Sequence, residues 1–260
     1  MPRYASVLIT GASSGIGRAL AEACAAPGVT LHLSGRDMAR LNEAAAACAA
    51  RGATPIPRVL DVRDGPAMAD WIAHAGPLDL VIANAGISGG TGRAGQESPA
   101  QTDAIFATNV GGVLNTVQPA LAAMRTQPPD AEGWRGRIGV IASIASFVPA
   151  PQAPAYCAAK AAVDRWTVAT AANARAEGVQ LTSVCPGYVR SAMTARNQFA
   201  MPGLMDADRA AGIILDGIAR GKTRVVFPWW LGLAARLGGL LPPRLLAWLI
   251  ISQPAKAPLD

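Results

Sequence analysis

The 260-residue chain is 51% hydrophobic and only 15% charged, which excludes a disordered or acidic solvating polypeptide. Its net charge of +6 comes from 23 basic and 17 acidic residues, and only three of the basic residues are lysine. The arginines are scattered singly, a pattern of solvated surface plus one anion site rather than a nucleic-acid-binding face.

Short β-branched and leucine-rich runs alternate with alanine-rich stretches along most of the chain. Strands are predicted at 5–10, 29–34, 54–60, 78–83, 137–143, 179–184 and 223–227. Helices are predicted at 15–26, 38–51, 64–75, 101–124, 155–177 and 206–220. Strict alternation of strand and helix predicts an α/β fold, a doubly wound parallel sheet of about seven strands with helices on both faces. The strands are continuous apolar runs, as a sheet buried on both sides requires. Residues 86–98 and 126–136 read as long loops rich in glycine or proline.

The last 30 residues differ. From Val225 to Ile250 only Arg236 and Arg244 carry charge, and Pro242-Pro243 divide the stretch into two short helices. Neither half approaches the roughly 20 unbroken apolar residues of a membrane span. The division is therefore one domain over 1–228 and an apolar tail over 229–260, packed on the domain or a partner subunit. Peripheral membrane contact through 229–250 is the alternative. Cys24, Cys48, Cys157 and Cys185, with His32 and His74, have no metal-ligand spacing, so no metal site is expected. The chain enters its first strand without a separate apolar leader and reads as cytoplasmic, the inner membrane surface being the tail's alternative location.

Thr10-Gly11-Ala12-Ser13-Ser14-Gly15-Ile16-Gly17 lies between the first strand and the first helix. Glycines there let the backbone turn sharply and bring free helix N–H groups to a pyrophosphate. Tyr156 and Lys160 are four residues apart, on one helix face. An ammonium beside a phenol favours the phenolate, so Lys160 is expected to lower the pKa of Tyr156. Such a phenol would act as general acid in reduction and general base in oxidation. Ser143, at a strand's C-terminal end, can donate to a developing oxyanion, with Ser146 as a nearby competitor.

The TGASSGIG spacing resembles that of the short-chain dehydrogenase/reductase family. Asn84-Ala85-Gly86, Asn109, Ser143, the Tyr156/Lys160 pair and Pro186-Gly187 follow in that family's order, with Ala142 in place of a commoner serine. The resemblance implies a Rossmann-type oxidoreductase that interconverts a ketone and a secondary alcohol by hydride transfer. It implies a catalytic set of Asn109, Ser143, Tyr156 and Lys160, with Asn109 holding a water that relays protons to Lys160. It implies cofactor contacts from Gly11, Ser13, Ser14, Gly15, Ile16, Gly17, Asp61, Val62, Asn84, Ala85, Gly86, Tyr156, Lys160, Pro186, Gly187, Val189 and Ser191. Asp61 would accept from the adenine amino group, or instead cap the helix near Asp64.

At the end of the second strand Gly35 stands where an NAD-selecting acid would sit, and Arg36 follows it. NADP(H) is expected over NAD(H), with Asp37 as a helix N-cap; Ser14 is the counter-sign, because many NADP-preferring members carry a basic residue there. Residues 192–205, with Met193, Phe199, Met201, Leu204 and Met205, read as a lid over an apolar or lipid-like carbonyl substrate. Small residues on helices 101–124 and 155–177 point to a homodimer or homotetramer. A non-catalytic nucleotide-binding or membrane-surface scaffold is the alternative, and it would tolerate loss of Tyr156 or Lys160.

Overall fold

In the computed structural model, which describes residues 3–92, 95–197, 199–250 and 256–259, the apolar runs form one parallel sheet. Its seven strands are β1 (Ser6–Thr10), β2 (Thr30–Gly35), β3 (Thr54–Val59), β4 (Leu80–Ala83), β5 (Gly136–Ile141), β6 (Val179–Pro186) and β7 (Arg224–Phe227). They stand in the order β3-β2-β1-β4-β5-β6-β7. The chain winds outward from β1 to β3 and then crosses back to β4. Ligands in such sheets bind beyond the strand C-termini at this reversal.

Alternate residues of each strand serve opposite faces. Val7 and Ile9 join Leu31 and Leu33 beneath α1 (Gly15–Cys24), α2 (Met38–Ala49) and α8 (Ala207–Ala219). Leu8 and Val81 face the other way, onto α3 (Gly65–His74), α5 (Gly112–Arg125) and α6 (Pro154–Ala176). Each fully buried aliphatic side chain contributes about 1.5–3 kcal/mol. β3 pairs only with β2, and an edge is where a strand can carry Pro55 and Pro57.

The helix expected over 101–124 is not continuous. α4 (Pro99–Phe106) passes through a single wide π-turn, Ala107–Gly111, before α5 begins. The cause is nonlocal: Asn109 turns its amide to the backbone of Ile87, accepting from its N–H and donating to its carbonyl at 2.8 Å each. π-turns of this kind are common at functional sites.

After β6 come α7 (Ala192–Ala195) and α8. The tail forms α9 (Trp229–Gly239) and α10 (Pro243–Ile250), divided at the prolines as expected. Its inner side packs on the domain, where Gly232 and Ala235 are buried and Arg236 lies 4.6 Å from the Phe147 ring centroid. Its outer side is open: Trp229 is 74% exposed, Leu240 81% and Trp248 71%. No helix among the described residues is long and apolar enough to cross a membrane. Residues 251–255 and 260 of the predicted tail lie outside the described residues.

Candidate active site

A cavity of about 570 Å³ opens at the C-terminal ends of the strands. Its wall collects Gly11, Ser13, Ser14, Gly15, Ile16, Arg36, Asp61, Val62, Asn84, Ala85, Gly86, Ser143, Tyr156, Lys160, Pro186, Gly187, Val189 and Ser191. Gly17 and Asn109 lie just behind that wall. At one end the β1–α1 turn forms a backbone cradle. Gly11 has φ +66°, and a Cβ there would stand 2.9 Å from the Ala85 Cα. A Cβ on Gly17 would meet the Gly11 carbonyl oxygen and come within 2.5 Å of the Asn84 Nδ2. Asn84 itself ties β1 to β4, donating to the Thr10 and Gly11 carbonyls at 3.0 and 3.1 Å. Ser14 precedes α1 without a side-chain cap, so the N–H groups of the first turn remain available to an anion. A pyrophosphate fits this cradle.

Beyond it, Asp37 caps α2 by accepting from the Arg40 N–H at 3.1 Å. That cap aims Arg40 at the same wall as Arg36, a contribution the sequence reading missed. Arg36 is exposed and makes no hydrogen bond among the described residues, whereas Arg40 donates its Nε to Asp37 at 2.8 Å. The Asp61 carboxyl is held below its usual range, chiefly by hydrogen bonds from the Arg63 guanidinium. Asp64, not Asp61, caps α3.

At the other end Ser143, Tyr156 and Lys160 converge. Ser143 hydrogen-bonds to Tyr156 and accepts from the Ala145 N–H at 3.1 Å. Ser146, the competitor, lies off the cavity wall with its hydroxyl buried and without a hydrogen-bond partner among the described residues. Lys160 is 4% exposed, donates to the Ile141 carbonyl at 2.7 Å and stands 5.9 Å from the Tyr156 ring centroid. Gly86 has no side chain between Asn109 and Lys160; a Cβ there would sit 3.1 Å from the Asn109 Oδ1 and 3.5 Å from the Lys160 Nζ.

The phenol differs from expectation. Burial raises the Tyr156 pKa to about 12, although the Ser143 hydrogen bond works against the rise. Burial also lowers Lys160 to about 8. A lysine held at about 8 is still mostly protonated near neutral pH, and it is the burial of the phenol itself that raises Tyr156. The Asn109 amide bonds to the Ile87 backbone at both ends, which fixes its side chain beside Gly86 and Lys160. Ser191 caps α7 in a reciprocal box with Thr194. Among the described residues no cluster of histidine, cysteine and acidic side chains could hold a metal ion.

Residues 5–201 match the family model for short chain dehydrogenases. An uncharacterized oxidoreductase of Myxococcus xanthus is 37% identical over 243 residues, 92% of this chain and 93% of that protein. A short-chain dehydrogenase from Sphingobium yanoikuyae, solved with NADPH, superposes with a TM-score of 0.77 at 25% identity, over 90% of this chain and 94% of the other. A Burkholderia phymatum short chain dehydrogenase/reductase solved with NAD shares the fold, with a TM-score of 0.78 at 23% identity and coverage of 98% and 96%. With its motifs in order on a seven-stranded parallel sheet around one nicotinamide-nucleotide cavity, the chain belongs to the short-chain dehydrogenase/reductase family of oxidoreductases.

Proposed function

We propose that this protein is an NADP(H)-dependent reductase that interconverts a ketone and a secondary alcohol on a substrate with an apolar body. The observation that carries the reading is the convergence of Ser143, Tyr156 and Lys160 opposite the glycine cradle. When held by the glycine cradle and the Arg36 side of the cavity, NADPH would supply a hydride to the carbonyl carbon. The Tyr156 phenol gives its proton to the carbonyl oxygen as charge develops there, and Ser143 donates a hydrogen bond to the same oxygen. Lys160, lowered to about 8, is poised to return a proton to the phenolate near neutral pH. A phenol held at about 12 stays protonated near neutral pH, so the proton that reduction consumes is in place on Tyr156.

Arg36 and Arg40 support NADP(H), because two guanidiniums line the wall at the end of β2 and Arg36 makes no competing hydrogen bond among the described residues. Tyr156→Phe removes only the transferable proton. It should abolish most turnover of a ketone panel and leave NADPH binding within about twofold. A wild-type rate in that variant would show the assignment to be wrong.

The apolar-substrate reading draws on Met193 at the cavity wall and Met201 and Leu204 in the segment after α7. Two surfaces support partners for a cytoplasmic enzyme. Ala158, Ala162 and Ala169 leave one side of α6 open to close approach by a second copy, the basis for a homodimer or homotetramer. The outer side of α9 and α10 suits a membrane surface: Trp229 and Trp248 are exposed, and residues 217–259 contain six basic side chains and no acid.

A further inference from the structure

Residues 256–259 lie against the glycine-rich loop that follows β4, beside the catalytic tyrosine. Gly90 donates its N–H to the Ala257 carbonyl and Gly92 to the Lys256 carbonyl, both at 2.9 Å. Gln101 clamps the two strands of chain together. Its Nε2 donates to the Gly90 carbonyl at 3.1 Å, and its Oε1 accepts from the Leu259 N–H at 2.7 Å. Leu259 packs on the small apolar cluster of Ile105, Ala155 and Ala159.

The loop is cut to this shape. A Cβ on Gly89 would come within 2.9 Å of the Leu259 Cγ, one on Gly90 within 2.5 Å of the Lys256 Cβ, and one on Gly92 within 2.8 Å of the Pro258 Cγ. Three glycines thus form a trough that any side chain would block. What the trough positions is an ammonium. The Lys256 Nζ donates to the Ser88 hydroxyl at 2.6 Å and stands 5.4 Å from the Tyr156 ring centroid. Among the described residues its contacts are that neutral hydroxyl and that ring, and no carboxylate pairs with it. Burial lowers its pKa to about 8, the mark of a cation removed from water with no acid among the described residues to balance it.

We propose that Lys256 is a specificity-determining residue that binds a carboxylate on the substrate, so that the preferred ketone is an oxo acid with an apolar body. One ammonium beside one hydroxyl matches a singly charged group. The carbonyl oxygen must meet the Tyr156 hydroxyl, and Lys256, 5.4 Å from the centroid of that ring and just outside the residues that line the nucleotide cavity, is a cation that a carboxylate a few bonds away could reach. This rests on the ketone-reductase reading above and adds the substrate's charge.

The test compares 4-oxopentanoate with its methyl ester in the full-length protein with NADPH at pH 7. Wild type should favour the acid in kcat/KM by about tenfold or more, the scale of one hydrogen bond to a charged group. In Lys256→Met the acid should lose about tenfold more than the ester, and Lys256→Arg should restore part of the preference. Gly90→Ala, which dislodges the tail without altering Lys256, should show the same collapse of the ratio. An acid-to-ester ratio unchanged in Lys256→Met, or an equal fall for both substrates, would overturn the proposal. If wild type reduces neither ketone, the reductase reading fails and the anion site is read separately. Saturation-transfer NMR of pentanoate needs no turnover: binding lost in Lys256→Met supports the site, and binding equal in both proteins, or absent from both, overturns it.

Discussion

Gly17→Ala tests the geometry of the cradle in a single atom. The added Cβ would lie 2.5 Å from the Asn84 Nδ2 and 2.9 Å from the Gly11 carbonyl carbon, where ordinary contact begins near 3.4 Å. Either α1 moves away from β1 by roughly an ångström or Asn84 swings out and gives up its bonds to the Thr10 and Gly11 carbonyls. Overpacking costs about 1–3 kcal/mol and each lost hydrogen bond about 1. The better helix propensity of alanine returns about 1. The net expectation is a loss of about 1–2 kcal/mol in urea unfolding, with NADPH binding weakened at least about tenfold in a fluorescence titration. Gly212→Ala is the control: it sits inside α8 with open space around a Cβ, so it should be neutral or stabilise by up to about 1 kcal/mol. If Gly17→Ala unfolds at the wild-type midpoint and binds NADPH within twofold, the close-approach argument is refuted.

Arg36→Ala should weaken NADPH far more than NADH, with Arg40→Ala following in the same sense; equal losses for both cofactors would remove the case for NADP(H). Lys160 has its pKa lowered from 10.5 to about 8, so the folded state gives up that proton first and stability rises with pH from 8 toward 10.5. Tyr156, raised from 10.0 to about 12, takes stability away from pH 10 toward 12. Urea midpoints at pH 7.5 and 9 should therefore rise less in Lys160→Met than in wild type, and equal slopes would contradict the burial argument. Asp164 is 1% exposed, is gripped by Arg224 at 2.9 and 2.8 Å and accepts from the Ser183 hydroxyl at 2.7 Å. Asp164→Ala should cost about 3 kcal/mol by leaving that guanidinium without its acid, measured by urea unfolding; a loss under about 1 would mean that Arg224 escapes to water. Vesicles containing phosphatidylglycerol should sediment the wild-type protein and not Trp229→Ala/Trp248→Ala; wild type left in the supernatant would rule out the membrane surface.

Much of this was legible because the sheet is buried on both faces. Runs such as Val7-Leu8-Ile9 and Leu80-Val81-Ile82 have no polar side to confuse the reading, and the helices between them follow from alternation alone. The π-turn was not legible: Thr108-Asn109-Val110 is ordinary helix sequence, and its cause is Ile87, 22 residues away. Arg40 could have been found, since an N-cap at Asp37 fixes the direction of the first turn of α2. The glycines at 89, 90 and 92 were visible, but they read as a loose loop. Their partner is a strap more than 160 residues later, and no local pattern announces a trough cut for it. The Tyr156 expectation failed for a different reason. Spacing shows that an ammonium is near, but not that the phenol is buried deeply enough for desolvation to raise it.

The crossover in the sheet also has a consequence for the chain as it leaves the ribosome. β1, β2 and β3 can pair as soon as residue 59 has emerged, but the second edge of β1 waits for β4, which begins at Leu80. Until then Val7, Leu8 and Ile9, all fully buried in the finished sheet, sit on an open strand edge. β4, β5 and β6 each leave such an edge in turn, with 52 residues separating the end of β4 from the start of β5. The reversal of winding that creates the nucleotide cavity therefore also creates the longest such interval, the 69 residues that separate the end of β1 at Thr10 from its second partner at Leu80.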